Sequence, residues 1–395
     1  MLASDAHDEA ASVATDALGY AYVAGSTRGD IGPAAGAGGA GSQGYLAKIA
    51  GDGSVRWIRQ FGAAPRVDAT AVAANANEGV FVAGRMLRYR DDDDDVGVFD
   101  AFVRKHASDG EVRWVRQFGT EADDEVFGAA VDGDGNVWLV GATAGDLVGA
   151  NAGGVDAFVR KVDGDGVVLW AHQFGTASED VATAVAVDEA GNGYVVGFTS
   201  GALGSASGAA TDAFVRKFDP AGTVLWTRQF GAGSTSYGDA AAGVAVDPAG
   251  RAVVVGSTAG VLAGVDGPGG GLLDAFVRTY GADGDHVWTR QFGTDAADEA
   301  RAVAVDARGR VFVAGSTLGA FEGFHSEGMR DVFVRALDQD GRDLWMRQLG
   351  TAGDDFAHGA SADAAGRLIV VGVRDAAGGE HLHAVRDAFV MQLEP

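Results

Sequence analysis

A chain of 395 residues with 55 Asp and Glu against 30 Lys and Arg carries a formal charge of -25 at pH 7, which argues against nucleic acid and anionic membrane surfaces as partners, because phosphate contacts need clustered basic side chains. The lack of cysteine excludes disulfides, thiolate metal sites and a cysteine nucleophile, and 63 glycines without a three-residue period beside 6 prolines exclude collagen and Pro-rich linkers. No apolar run reaches the length of about 18 residues that reads as a membrane helix, and Met1–Glu9 shows no charged-then-apolar leader.

Taken from its start, the chain aligns Met1–Ala10 with Gln291–Ala300, so it opens on the tail of a segment that recurs. That segment, Leu-Trp-x-Arg-Gln-Phe-Gly in its fullest form, places Trp at 57, 114, 170, 226, 288 and 345, in steps of 57, 56, 56, 62 and 57 residues. A regular step of this size signals a repeat architecture. Each period reads as four short strands. The first is of the Ala184–Asp188 type and the second follows a Gly, as in Gly193–Gly197. The third is Asp-Ala-Phe-Val-Arg, and the fourth carries the Trp. β-Branched and aromatic runs of four to seven residues separated by Asp-Gly turns are strand and hairpin chemistry. Four antiparallel strands in such a period make one propeller blade.

The second and third strands occur seven times and the Trp strand six. The expectation is therefore an all-β, seven-bladed β-propeller of four-stranded antiparallel blades whose last blade lacks its outer strand. It forms a single domain, with blades near 4–62, 63–119, 120–175, 176–231, 232–293, 294–350 and 351–395. An upstream Trp strand closing the ring against the last blade is one expectation, and a three-stranded blade is the alternative. Small Ala, Val and Gly in the first strand suit convergence on an axis. The Phe of the third strand and the Trp of the fourth are expected to fill the spaces between blades.

The run Asp180–Thr199, followed by Asp-Ala-Phe-Val-Arg-Lys and Leu-Trp-x-x-Gln-Phe-Gly, resembles the SBBP-type β-propeller repeat and, less closely, NHL-type propellers. The resemblance implies a propeller of secreted or surface-attached bacterial and archaeal proteins, with no agreed activity and no catalytic residues to transfer.

In such a ring the first-to-second and third-to-fourth turns share one face, while the long loops and the links between blades share the other. Variable loops on a fixed scaffold are where repeats place binding. Candidates there are Arg88, Tyr89 and Arg90 in the loop of blade two expected from Arg85 to Phe99, His325, Glu327 and Arg330 in blade six, and His381 and His383 in blade seven. The same face repeats a carboxylate: Asp8, Asp68, Asp124, Asp180, Asp239, Asp298 and Asp355. An acidic ring at the channel mouth would repel itself and raise carboxylate pKa values unless a hard cation such as Ca2+ compensated. The alternative is that each Asp accepts backbone N–H bonds at its own crossing. Asp132–Asn136 and Asp163–Gly166 read as turn chemistry, and His106 and His172 as drift at surface positions. The function expected is a non-catalytic extracellular or cell-surface binding module for a protein or glycan, with neither nucleic acid nor membrane insertion. The alternative is a carbohydrate-active hydrolase or lyase acting at the channel mouth. Nothing in the sequence bears on oligomeric state.

Overall fold

The hairpins are set by their turns. Asp163 Oδ1 accepts the amides of Asp165 (2.9 Å) and Val167 (2.8 Å). Gly166 takes a φ of +85°, a left-handed conformation that a side chain would strain. Asp132 caps its turn in the same way, accepting the amides of Asp134 and Asn136. These aspartates serve the backbone locally.

A computed structural model describes residues 2, 4–31, 41–62, 65–75, 79–89, 97–204, 211–233, 238–265, 271–375 and 386–394. Among them are 27 strands and no helix. Blade one is β1 (Asp8–Thr15), β2 (Ala21–Thr27), β3 (Gln43–Ile49) and β4 (Val55–Phe61). Blade two is β5 (Val67–Asn75), β6 (Gly79–Tyr89), β7 (Gly97–His106) and β8 (Val112–Phe118). Blade three is β9 (Asp124–Val131), β10 (Val137–Thr143), β11 (Asp156–Val162) and β12 (Val168–Phe174). Blade four is β13 (Asp180–Val187), β14 (Gly193–Thr199), β15 (Asp212–Phe218) and β16 (Val224–Phe230). Blade five is β17 (Ala240–Val246), β18 (Ala252–Thr258), β19 (Asp274–Tyr280) and β20 (His286–Phe292). Blade six is β21 (Asp298–Val305), β22 (Val311–Thr317), β23 (Asp331–Leu337) and β24 (Asp343–Leu349). Blade seven has three: β25 (Asp355–Ala362), β26 (Leu368–Asp375) and β27 (Arg386–Leu393).

Within every blade the strands pair in chain order and antiparallel. The first strand of each blade lies against that of the next, from β1 on β5 round to β25 on β1, so the seven sheets close a ring. Small residues permit this closeness. A Cβ on Gly359 would stand 3.1 Å from Val13 N and 3.2 Å from Ser12 Cα, where blade seven meets blade one. Leu2 bridges antiparallel to Ala388, the place that Phe292 takes opposite Ala275 in blade five. Leu2 thus sits on the last blade.

The third-strand Phe102, Phe158, Phe214, Phe276 and Phe333 are buried between blades, as is Trp138 on β10. The repeated Trp of the fourth strand is half-buried and does more than pack. Trp170 Nε1 donates to Pro220 O (3.0 Å), in the outer turn of the next blade, and Lys161 Nζ donates to the same carbonyl (3.3 Å). Trp57 with Lys48 holds Ser108 O, Trp114 with Lys105 holds Gly164 O, and Trp226 with Lys217 holds Ala282 O. The chain's four lysines, Lys48, Lys105, Lys161 and Lys217, all serve this latch.

Two expectations are corrected. The stretch after Arg85 is not a loop from that residue on: β6 runs to Tyr89 and pairs with β7 from Gly97, with Leu87 opposite Phe99. His106 is not at the surface. It is 0 % exposed, takes the place of Val162 or Phe218 in the neighbouring blades, and packs 6.2 Å from Phe61.

Candidate functional site

The links into the first strands and the loops after the second strands share one face, and its inner rim is built from the first residues of the innermost strands. The aspartates opening these strands brace the crossing, while Oδ1 of Asp124, Asp180 and Asp298 is buried without a hydrogen bond among the described residues. Thr176 donates its amide (2.6 Å) and hydroxyl (2.9 Å) to Asp180. Thr120 on Asp124, Thr294 on Asp298, Thr351 on Asp355 and Ser4 on Asp8 repeat the arrangement. Asp239 takes the amide of Ala232 (2.8 Å) and the hydroxyl of Thr258. The glycine ending the fourth strand lies between two such acids: a Cβ on Gly293 would stand 2.4 Å from Asp274 Oδ1 and 2.9 Å from Asp298 Oδ2. Burial pushes Asp239, Asp298 and Asp355 above the ordinary carboxylate range, and Asp212, Asp274 and Asp331, from the third strand of the preceding blade, add to the effect. No group of three or more His, Asp or Glu suited to a metal ion occurs among the described residues.

Asp68 stands apart from this set. It is one residue along, paired with Arg85, in the row where Glu9 faces Ser26, Glu125 faces Ala142 and Glu299 faces Ser316. Each acid of this second row has a basic partner. Asp68 Oδ2 accepts Arg66 Nε (2.8 Å) and Arg85 Nε (3.1 Å), and Arg85 Nη1 reaches on to Glu125 Oε2 (2.7 Å). Glu299 meets Arg301 (2.5 Å) and Arg330 (3.2 Å), and Glu9 meets His358 Nδ1 (3.2 Å). Guanidinium groups thus balance Asp68, Glu125 and Glu299, while His358, its pKa lowered by burial, offers Glu9 a polar contact without a full charge.

Between blades one and two this rim widens into a cleft of about 950 Å3, lined by His7, Glu9, Arg28, Arg66, Asp68, Arg85, Leu87 and Tyr89, with Ser26, Ser42 and Thr70 among the remaining groups. Blade two supplies one wall because β6 is four residues longer than β10 (11 against 7). The alternation of that extension turns Arg85, Leu87 and Tyr89 to the cleft. Phe99, opposite on β7, lies under the guanidinium groups of Arg85 (4.6 Å) and Arg66 (5.4 Å) and holds both in place. Burial lowers the pKa of His7, and Arg28 and Arg386 lower it further.

Of the residues singled out in the sequence, Tyr89 is 52 % exposed at the lip of this cleft. Arg88 is turned away to Asp100 (3.0 Å) and to Thr120 O (2.8 Å). Arg330 joins the rim through Glu299 and lies 5.2 Å over Phe356. His325 and Glu327 are exposed in the loop before β23, three blades round the ring from Tyr89. Arg90, His381 and His383 lie outside the described residues. Sequence reasoning passed over Arg28, Arg66, Arg85 and His358. The available signal was departure from the repeat: where blade two has Arg85, the other blades have Ser26, Ala142, Phe198, Ser257, Ser316 or Val373.

Residues 3–33 and 287–322 match the family model described as SBBP: Beta-propeller repeat. The chain is 28 % identical over 178 residues to Regulatory protein FlaEY of Caulobacter vibrioides, a match covering 42 % of this chain and 18 % of that protein. A Dyadobacter fermentans protein of unknown function has a similar fold, with a TM-score of 0.51 at 12 % identity over 98 % of this chain and 95 % of its own. So has a puromycin hydrolase mutant, with a TM-score of 0.51 at 14 % identity over 100 % of this chain and 53 % of its own. At such identities the likeness concerns fold alone. With the repeat model matching near both ends and one strand grammar running through all seven blades, the chain is a seven-bladed β-propeller similar to the SBBP β-propeller repeat proteins.

Proposed function

We propose that this propeller is a non-catalytic binding module that takes its ligand on the loop face, in the cleft between blades one and two, and that it works in a secreted or surface-attached setting. The observation that carries the reading is the state of the rim. Its four second-row acids are each held by arginine or histidine, whereas general acid–base work needs a carboxyl or imidazole free to exchange its proton with substrate. Paired charges beside an exposed tyrosine make a recognition surface. The resemblance to the SBBP repeat supports the setting.

Glycan and protein arrays probed with the wild type, Tyr89→Ala and Glu189→Ala test the reading, Glu189 being exposed in a turn on the opposite face. Binding lost in the first variant and kept in the second is expected. Turnover of any polysaccharide in a parallel hydrolysis and lyase panel, abolished by Glu125→Gln or Asp68→Asn, would replace the binding module with an enzyme.

A further inference from the structure

The junction between blades one and two differs from its neighbours in where it leaves positive charge. Arg66 spends its Nε on Asp68, and its terminal nitrogens have no partner among the described residues; its side chain is 47 % exposed. Arg28, following β2 on blade one, is exposed and has no carboxylate partner among the described residues. Both line the same cleft. Of the acids nearest at hand, Asp68 is occupied by Arg66 and Arg85, and Glu9 turns to His358 on blade seven. Two guanidinium groups are thus offered to the cleft, one of them steadied by the Phe99 ring, and a guanidinium fork matches a carboxylate in two parallel hydrogen bonds. Tyr89 adds an exposed ring at the lip, and Ser26, Ser42 and Thr70 add hydroxyls.

We propose that this cleft is a subsite for a uronic-acid oligosaccharide, whose carboxylate lies between Arg28 and Arg66 and whose sugar ring lies against Tyr89. The proposal rests on the loop-face binding reading above. A molecule of net charge -25 repels long polyanions, so a short oligomer held at one carboxylate is favoured over an extended nucleic acid or sulfated polymer. A planar ring and a hydroxyl-lined wall favour a sugar over an acidic peptide.

Calorimetric titration of the intact chain with trigalacturonate, its methyl ester and a tetraglutamate peptide tests this. The acid is expected to bind and the ester to bind about tenfold more weakly, because esterification removes a charge-assisted hydrogen-bond pair. Arg28→Gln and Arg66→Gln should each weaken the acid by a similar factor with the melting temperature unchanged, and added salt should weaken the acid but not the ester. Equal affinity for acid and ester, or unaltered binding by the double variant, overturns the proposal; so does tighter binding of tetraglutamate. If arrays still show Tyr89-dependent capture of a neutral glycan while trigalacturonate fails, the anionic subsite falls and the loop-face reading stands. If both fail, both fall.

Discussion

His106 occupies a position that holds Ile49, Val162, Phe218, Tyr280, Leu337 or Leu393 in the other blades. Its Nδ1 lies 3.0 Å from Gly110 O, and its Nε2 is buried without a hydrogen bond. Burial, helped by Arg104 and Arg59, pushes its pKa down to about 4. The folded value lies below the unfolded one near 6.5, so the unfolded chain takes up the proton first as pH falls. The stability linked to neutral His106 is complete above about pH 6.5 and is lost between there and about pH 4. A displacement of this size corresponds to on the order of 3 kcal/mol. In urea titrations at pH 7.5 and 4.5, His106→Val is expected to lose less stability than the wild type, and equal losses would refute the assignment. Trp170→Phe keeps a ring but removes the bond to Pro220 O, and should cost on the order of 1 kcal/mol at the blade junction in the same titration. Legibility divided sharply among single residues. The Trp was readable as an interior residue because it recurs, but its bond to the next blade's turn joins residues 50 apart that no local pattern relates. His106 was misread because it directly precedes an Asp-Gly turn, and a turn neighbour reads as exposed.

Blade two shows the same division for elements. Its other strands follow the repeat and were legible. The extension of β6 and β7 was not, because the signal for a half-buried strand is alternation between apolar and polar residues. Arg85-Met-Leu-Arg-Tyr89 has a cleft-side face and an outer face, neither of them fully apolar, and the acidic run Asp91–Asp95 next to it reads as solvated loop. Paired backbone distinguishes the extension from a loop. Amide hydrogen exchange at Arg88 and Val98 is therefore expected to be much slower than at Ser326–Met329 in the corresponding loop of blade six, which has no ladder pairing among the described residues. Equal exchange at the two places would dissolve the wall of the cleft, and with it the alignment of Arg66 and Arg85 over Phe99.

For the molecule as a whole, the ring was legible in the period and in the count of second and third strands. The candidate site was legible only where it repeats. Superposing blades draws the eye to Asp8, Asp124, Asp180, Asp239, Asp298 and Asp355, and these serve the crossings. The residues that give the cleft its character, Arg28, Arg66 and Arg85, break the repeat and were hidden by it. Because the recurrent carboxylates already accept amides and hydroxyls, exchanging EDTA for millimolar calcium should move the melting temperature by less than about 2 °C. A rise of several degrees would mean that a bound ion stabilises the folded ring.

Among the described residues, blade seven shows no fourth strand beside β27. Six blades screen their third strand with a fourth, but among the described residues β27 is paired only with β26 beyond the single bridge at Leu2. An unpaired sheet margin recruits extended polypeptide, so residues 1–395 taken alone should self-associate seam to seam in concentrated solution. Grafting the sequence His286–Arg290 directly ahead of Met1, in step with Leu2, should abolish that concentration dependence in light scattering and make the ring harder to melt.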